Sequence, residues 1–435
     1  MARSNKQQSL KNVGRMAMSI LASLFLLSMV VVPAARAQTL TVLHTFTGGA
    51  DGGEPQAGLA MDRAGNLYGT TKDGGIGRDQ YECTEDGEFY GCGTLYKLSH
   101  HGSSWVFNLL YQFTTVDGAV PVQAVTIGPN GSVYGPTTYG GPSCPPYFYG
   151  CGTIFNASPG PTFRVSVLAP WFETVLFAFP GLGQGGPNPS SVTFDTAGNI
   201  YGTTPYGPFN FGDIYELTHS RSGWTENILY NFTGGADGEL PTSVIFDPAG
   251  NLYGATSRGG NNGCSFGCGT IFQLTPSGSG WTKTILHTFN PATDGGYPGA
   301  VVRDQAGNLY GMAAASAYGE PGNVWELSPA EGGWTFTVLY WFATSVYNGS
   351  AALAMDASGN LYGVTAYGGT YSNGNVFKLA RSEGGWTYTD LYDFTGGNDG
   401  CHPLGSVTLD ADGNIYGTTS DCGADGGGTV YKLAP

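Results

Sequence analysis

The sequence predicts an all-β fold: a seven-bladed β-propeller with four antiparallel strands per blade, the last blade closed by a strand from the N-terminal end. Three observations predict it. A pentad, Gly-(Asn/Ser)-(Leu/Ile/Val)-Tyr-Gly, recurs seven times, with its tyrosine at Tyr68, Tyr134, Tyr201, Tyr253, Tyr310, Tyr362 and Tyr416. Each pentad belongs to a unit of four short segments rich in β-branched and aromatic residues that alternate with polar ones, the period of a strand. One such segment stands out of order, before the first complete unit, while the chain ends one segment short.

The segments follow one another as a, b, c and d. Segment a is a brief alternating run ending in Asp or its substitute, as in Ser-Val-Thr-Phe-Asp at 191–195. Segment b is the pentad with a Thr-rich tail, as in Asn-Leu-Tyr-Gly-Ala-Thr at 251–256. Segment c is clearest as Gly-Thr-Val-Tyr-Lys-Leu at 428–433, and segment d as Trp-Thr-Tyr-Thr-Asp-Leu-Tyr-Asp-Phe at 386–394. The a–b joint reads Asp-x-x-Gly-Asn at 62–66, 195–199 and 247–251. Asp opens a turn through its side chain and Gly supplies the positive φ, so this is a tight hairpin. The copy at 410–414 has a slight likeness to a Ca²⁺ loop, but the further ligands and the glutamate at position 12 are missing. Beyond residue 37 no segment has a helical period.

Four antiparallel strands make one blade, and a blade alone would leave both sheet faces and both edges open. Stacking seven around an axis buries the faces. Residues 40–46, Leu-Thr-Val-Leu-His-Thr-Phe, match segment d but precede the first a, whereas the chain ends at Pro435 just after the seventh c. Pairing the spare d with the last c closes the ring and covers a free edge.

These motifs, Gly-Asn-Leu-Tyr-Gly at 65–69, Gly-Thr-Val-Tyr-Lys-Leu at 428–433 and Phe-Thr-Gly-Gly-Asn-Asp-Gly at 394–400, resemble the bacterial tandem repeat family called GloVer. The strand order is also similar to that of NHL-type propellers. The resemblance covers essentially all of 38–435. It implies a secreted or surface protein, and it brings no activity with it. Family members carry varied C-terminal anchors. This chain stops at Pro435 without one, which weakens the expectation of attachment to the cell surface.

Residues 1–37 differ from the rest. Arg3, Lys6, Lys11 and Arg15 precede an apolar run from 16 to 32, and Ala35-Arg36-Ala37 stands before Gln38. That is the order of a secretory signal peptide, so the expected mature domain is 38–435, secreted or periplasmic. The other reading is an uncleaved anchor, for which the run is short. This segment holds five basic and no acidic residues, so the formal charge falls from −15 to −20 on its removal. Such a chain repels nucleic acid and anionic membranes. A soluble monomer, not spanning a membrane after cleavage, is the expected state. The 72 glycines are explained by tight turns between many short strands.

Eight cysteines after a signal peptide predict disulfides. Cys83 and Cys92, Cys144 and Cys151, and Cys264 and Cys268 are local pairs in b–c loops, each ending at Gly-Cys-Gly-Thr before segment c. Cys401 lies in the loop from d of blade 6 to a of blade 7, and Cys422 in the b–c loop of blade 7. In an up-and-down blade these loops emerge on one face, here called the top, so the fold brings this fourth pair together. No Cys/His cluster has the spacing of a zinc site.

The top face also carries the longest loops, at 71–92 and 138–151, and binding usually resides in large loops on a rigid scaffold. A recurring position just after strand b holds Tyr139, Tyr206, Tyr318 and Tyr367, with Asp73, Arg258 and Asp421 in its place in other blades. These residues suit sugar stacking and hydrogen bonding, or else they pack against the neighbouring blade. The d–a loops supply Asp51, Asp117, Asp237, Asp294 and Asp399. Converging on the axis they could hold Ca²⁺; capping their own loops they would not. No other cofactor is expected. Of the six histidines, His44 and His287 share a structural repeat position, His100, His101 and His219 sit on the opposite face, and only His402 is on top. No Gly-x-Ser-x-Gly, His-Glu-x-x-His or phosphate loop appears. The leading expectation is a non-enzymatic binding module for a glycan or a protein, with no assigned catalytic residue. The alternatives are a carbohydrate-active hydrolase or lyase with a top-face carboxylate site, and a structural surface protein.

Overall fold

The structure is a computed structural model. It describes residues 38–75, 83–85, 88–102, 104–141, 151–160, 171–180, 187–207, 209–260, 263–278, 280–314, 321–343 and 352–435. The predicted signal segment, 1–37, lies outside the described residues.

Thr39–Ala434 form one compact unit of seven four-stranded antiparallel sheets. Blade 4 is representative, with strand a at Glu239–Phe246, b at Leu252–Arg258, c at Thr270–Ser277 and d at Gly280–Thr288. Strand b is buried along most of its length and strand c along its first part, whereas strand d carries only exposed and half-buried residues. Strands a of neighbouring blades come close enough for hydroxyl–carbonyl bonds, Thr126 Oγ1 to Val192 O at 2.9 Å and Thr193 Oγ1 to Val244 O at 3.0 Å. Strand a is therefore the inner strand and d the outer.

The seventh blade is closed as the sequence predicts. Thr39–Thr45 pairs antiparallel with Thr429–Ala434, which pairs with Ile415–Thr419 and that in turn with Thr408–Leu409. Seven buried clusters follow the same cycle, one between each blade and the next. The cluster between blades 7 and 1 joins Phe46, Tyr416 and Val430 to Leu59, Leu67 and Tyr96, and that between blades 3 and 4 joins Ile214 and Phe232 to Leu252 and Phe272.

The a–b turns owe their sequence to one carboxylate. Asp62 Oδ1 accepts the backbone N–H groups of Ala64 and Asn66 at 2.9 Å, and Oδ2 accepts Asn66 Nδ2 at 2.7 Å and the Tyr68 hydroxyl at 3.2 Å. The pentad tyrosine thus reports to the turn that precedes it, and the same set recurs around Asp247, Asp356 and Asp410. Burial pushes these carboxyls up, but the hydrogen bonds outweigh it and hold Asp62, Asp247, Asp304, Asp356 and Asp410 below the usual range.

A second recurring device seams neighbouring blades at the top. Glu54, Val120, Asn188, Leu240, Tyr297 and His402 all have φ between 50° and 57°, and each precedes a proline. Five of them donate their backbone N–H to the b–c loop of the previous blade, for example Leu240 to Phe211 O at 2.9 Å and His402 to Asn373 O at 2.9 Å. The proline that follows packs on the glycine preceding strand c of that blade. A Cβ at Gly93, Gly152, Gly212, Gly269, Gly374 or Gly428 would stand 2.3–2.7 Å from a proline Cδ. The Gly-Thr start of strand c is thus an inter-blade contact rather than a turn signal.

Three disulfides join Cys83 to Cys92, Cys264 to Cys268 and Cys401 to Cys422. Cys151 is also disulfide-bonded; its expected partner Cys144 lies outside the described residues. No helix among the described residues is long and apolar enough to cross a membrane.

Candidate functional site

The position after strand b recurs because it is the last rung of the a–b ladder, opposite the d–a loop. Asp73 bridges Gly53, Tyr139 bridges Ala119, Asp421 bridges Cys401, and Arg258 pairs with Glu239. Their side chains diverge from there. Tyr139 packs into the core between blades 1 and 2. Asp73 lies 3.6 Å from Lys72, which also pairs with Glu54 at 2.9 Å. Arg258 stacks over Phe266. Tyr206 and Tyr367 are exposed, and Tyr318 lies outside the described residues. The six described residues therefore do not share a single site.

The five loop aspartates cap their own loops at the outer strand. Asp51, Asp117, Asp237, Asp294 and Asp399 each accept the backbone N–H of a residue three or four positions earlier. Each also meets a ring from strand d: His44 at 3.3 Å, Tyr111 at 2.6 Å, Tyr230 at 2.7 Å, His287 at 3.0 Å and Tyr392 at 3.0 Å. They do not converge on the axis, so the axial Ca²⁺ arrangement is not the one they adopt. Asp237 additionally holds Lys283 Nζ at 2.8 Å. Burial pushes Asp237 and Asp399 up, yet their hydrogen bonds bring both below the usual range. His44 and His287 stack on Phe107 and Phe336 across blade boundaries. Burial lowers both imidazoles despite Asp51 and Asp294.

One group does come together on top, between blades 6 and 7. His402 sits in the d–a loop leading to the inner strand of blade 7, with φ 54°. Its Nδ1 lies 3.1 Å from Asp421 Oδ2, which also accepts the Ser420 hydroxyl at 2.6 Å. Tyr367, from the b–c loop of blade 6, lies over the imidazole with centroids 4.8 Å apart and planes at 53°. The disulfide from Cys401 to Cys422 fixes the backbone beside both partners, since Cys401 precedes His402 and Cys422 follows Asp421. His402 and Asp421 remain partly exposed, with 29% and 46% of their side chains open. Cys401, His402 and Asp421 lie close enough to suggest a metal site, but a sulfur in a disulfide is no thiolate ligand.

In the sequence, Asp421 and Tyr367 stand out by their repeat position and His402 only by its face, because its pairing with Asp421 depends on a cross-loop bridge. The resulting geometry is that of a hydrogen-bonded His–Asp pair: the carboxylate orients one ring nitrogen and leaves the other for proton transfer.

The repeats from residue 149 onward can also be matched directly. The model of the Gloeobacter/Verrucomicrobia repeat matches residues 149–351 and 261–435, together two thirds of the chain. The chain belongs to this family. Among solved structures, this Gloeobacter/Verrucomicrobia repeat protein is similar to the extracellular domain of a one-component system protein from B. thetaiotaomicron, with TM-score 0.52 and 13% identity over 91% of this chain and 42% of that one. It is also similar to the polysaccharide lyase Uly1, with TM-score 0.51 and 12% identity over 88% and 90% of the two chains. A structure described as a 6-phosphogluconolactonase from Bacteroides uniformis gives 0.49 at 14% identity, over 77% and 83%. At such identities the likeness is one of fold. No curated protein matches.

Proposed function

We propose that this propeller is a carbohydrate-active enzyme of the polysaccharide lyase kind, working on its top face at Tyr367, His402 and Asp421. The observation that carries the reading is the His402 Nδ1 to Asp421 Oδ2 contact at 3.1 Å beneath the Tyr367 ring. With Nδ1–H donated to Asp421, Nε2 serves as the base. It takes the proton from the carbon beside a uronate carboxyl, a C=C bond forms as the neighbouring C–O bond breaks, and the proton passes on to the leaving oxygen. Tyr367 offers an aromatic face to the sugar. A hydrolase would need two carboxylates set about 5–10 Å apart, whereas the five loop aspartates are already engaged as caps. The fold shared with a polysaccharide lyase supports the reading, and secretion fits it, given the signal-like segment and the disulfides.

A second reading, a glycan-binding module without chemistry, is favoured by the exposed rings of the b–c loops: Tyr206, Phe209, Phe266, Tyr367 and Tyr371. One experiment separates the two. The mature protein is incubated with a panel of uronate-containing and neutral polysaccharides, while unsaturated ends, reducing ends and binding are followed. The lyase reading expects unsaturated ends from a uronate polymer and a loss of about 10²–10⁴-fold in rate in His402→Ala. Binding with no new ends supports the module; turnover unchanged in His402→Ala removes this site from the chemistry.

A further inference from the structure

Blade 3 carries a row of buried oxygen atoms short of hydrogen bonds. Thr204 ends strand b, Asp213 begins strand c and Asn231 ends strand d, and the three are consecutive partners across the two ladders. Thr204 is 1% and Asp213 2% exposed. Asp213 Oδ1 and Asn231 Oδ1 are buried without a hydrogen-bond partner, and the Thr204 hydroxyl faces the Asp213 carboxylate without reaching hydrogen-bond geometry. A buried carboxylate in that state is costly unless a cation or a proton meets it.

The other blades show what the position ordinarily does. Thr94, Thr153 and Thr429 donate their hydroxyls to the d–a loop carbonyls of Asp51, Asp117 and Asp399, and Asn323 donates its amide to Asp294 O at 2.7 Å. Each is a donor, and ionised Asp213 has no proton to give. In blade 6, Asn375 is satisfied on both sides, by Thr365 at 2.5 Å and by the Tyr388 hydroxyl at 2.9 Å. Where blade 6 has Tyr388, blade 3 has Glu226 at the equivalent register, opposite Leu217 as Tyr388 is opposite Leu379. A second carboxylate thus stands where blade 6 has the hydroxyl that accepts the Asn375 amide, and Asp213 has no amide to donate to it. Burial pushes Asp213 up to about 7, the Thr204 hydroxyl pulls it back, and the Glu226 charge raises it further.

We propose that Thr204, Asp213 and Asn231, with Glu226 beneath them, form a buried site for a divalent hard cation, and that Ca²⁺ is the ion it takes. The donors are all oxygens, which excludes soft metals. Two carboxylates call for a divalent charge. A mixed set of hydroxyl, amide and carboxylate suits the irregular shell of Ca²⁺ better than the octahedron of Mg²⁺. The site lies at the top edge of blade 3 and involves none of Tyr367, His402 and Asp421, so it stands or falls independently of the proposed activity.

The test is calorimetric titration of CaCl₂ and MgCl₂ into the chelator-treated mature protein, together with thermal unfolding with and without Ca²⁺. The expected result is one Ca²⁺ per chain, a rise in Tm of at least about 3 °C at saturating ion, and Mg²⁺ binding at least tenfold weaker. Asp213→Asn restores the residue that blades 5 and 6 use (Asn323 and Asn375), so it is expected to fold. It should bind Ca²⁺ at least tenfold more weakly and lose the Tm response; Glu226→Gln should weaken binding in the same direction. A proton on Asp213, or an Asn231 amide turned to donate to it, would leave the wild type with no Ca²⁺ uptake. That outcome, or uptake unchanged in Asp213→Asn, overturns the proposal.

Discussion

Leu40 stands opposite Leu433 in an antiparallel ladder, although 392 residues separate them in sequence. That pairing makes the closing blade equivalent to the other six. The seam it creates is packed like the rest: Phe46 is fully buried against Tyr96 of blade 1 at 5.1 Å, as Phe232 is against Phe272 of blade 4 at 5.4 Å. Phe46→Ala should therefore cost as much as Phe232→Ala, about 3–5 kcal/mol each, measured by urea denaturation of the mature protein. A near-neutral Phe46→Ala would mean that the ring does not depend on its N-terminal strand.

The proline–glycine seam gives a second prediction. Gly374 has φ 95°, and a Cβ there would lie 2.4 Å from Pro403 Cδ and 2.5 Å from Thr365 O. Gly374→Ala should combine left-handed strain with a steric clash and cost upwards of about 2 kcal/mol. Gly359, with φ 79° and nothing within 4 Å, is the control. Gly359→Ala should cost only the strain, about 1 kcal/mol, in the same denaturation series.

The stability of this protein should also carry a pH signature from Glu173. Burial, aided by the charge of Asp117, raises its carboxyl from 4.5 to about 8, and Oε1 has no partner. The folded chain then binds more protons than the unfolded chain between those values, so this group's contribution to stability falls as pH rises from about 4.5 to 8. Glu173→Gln removes that slope. The Tm of the variant should match the wild type near pH 4.5 and exceed it increasingly toward pH 8; parallel Tm curves would show that Glu173 ionises normally. The turn aspartates have the opposite sign. Their depressed carboxyls stabilise the fold above the unfolded value of 3.8, and that contribution is lost as pH falls below it.

Architecture was legible because the repeat is written in residues with strict local roles. The pentad tyrosine reaches its turn aspartate, as Tyr68 does Asp62, and a spare strand at 40–46 left one way to close the ring. The same regularity obscures the site. Asp51 and its equivalents recur because every loop needs a cap, and Tyr139 and Asp73 recur because every a–b ladder needs a last rung. A repeated position reports on the scaffold. The pairing of His402 with Asp421 and Tyr367 was not legible, since it depends on three loops from two blades meeting on one face. Nor was the oxygen row of blade 3. In the sequence, Asp213 merely stands where Thr94, Thr153 and Thr270 stand in other blades, and its unanswered oxygen appears only once Thr204 and Asn231 are aligned beside it.

The central functional claim, that the top face between blades 6 and 7 handles a glycan, is tested most directly by a crystal structure of His402→Ala soaked with an oligosaccharide of the polymer that the wild type binds or cleaves. The account predicts a sugar ring against Tyr367, within reach of the space left by the imidazole and of Asp421. A sugar bound on the a–b turn face or along the outer strands, with the Tyr367 ring uncovered, would contradict it.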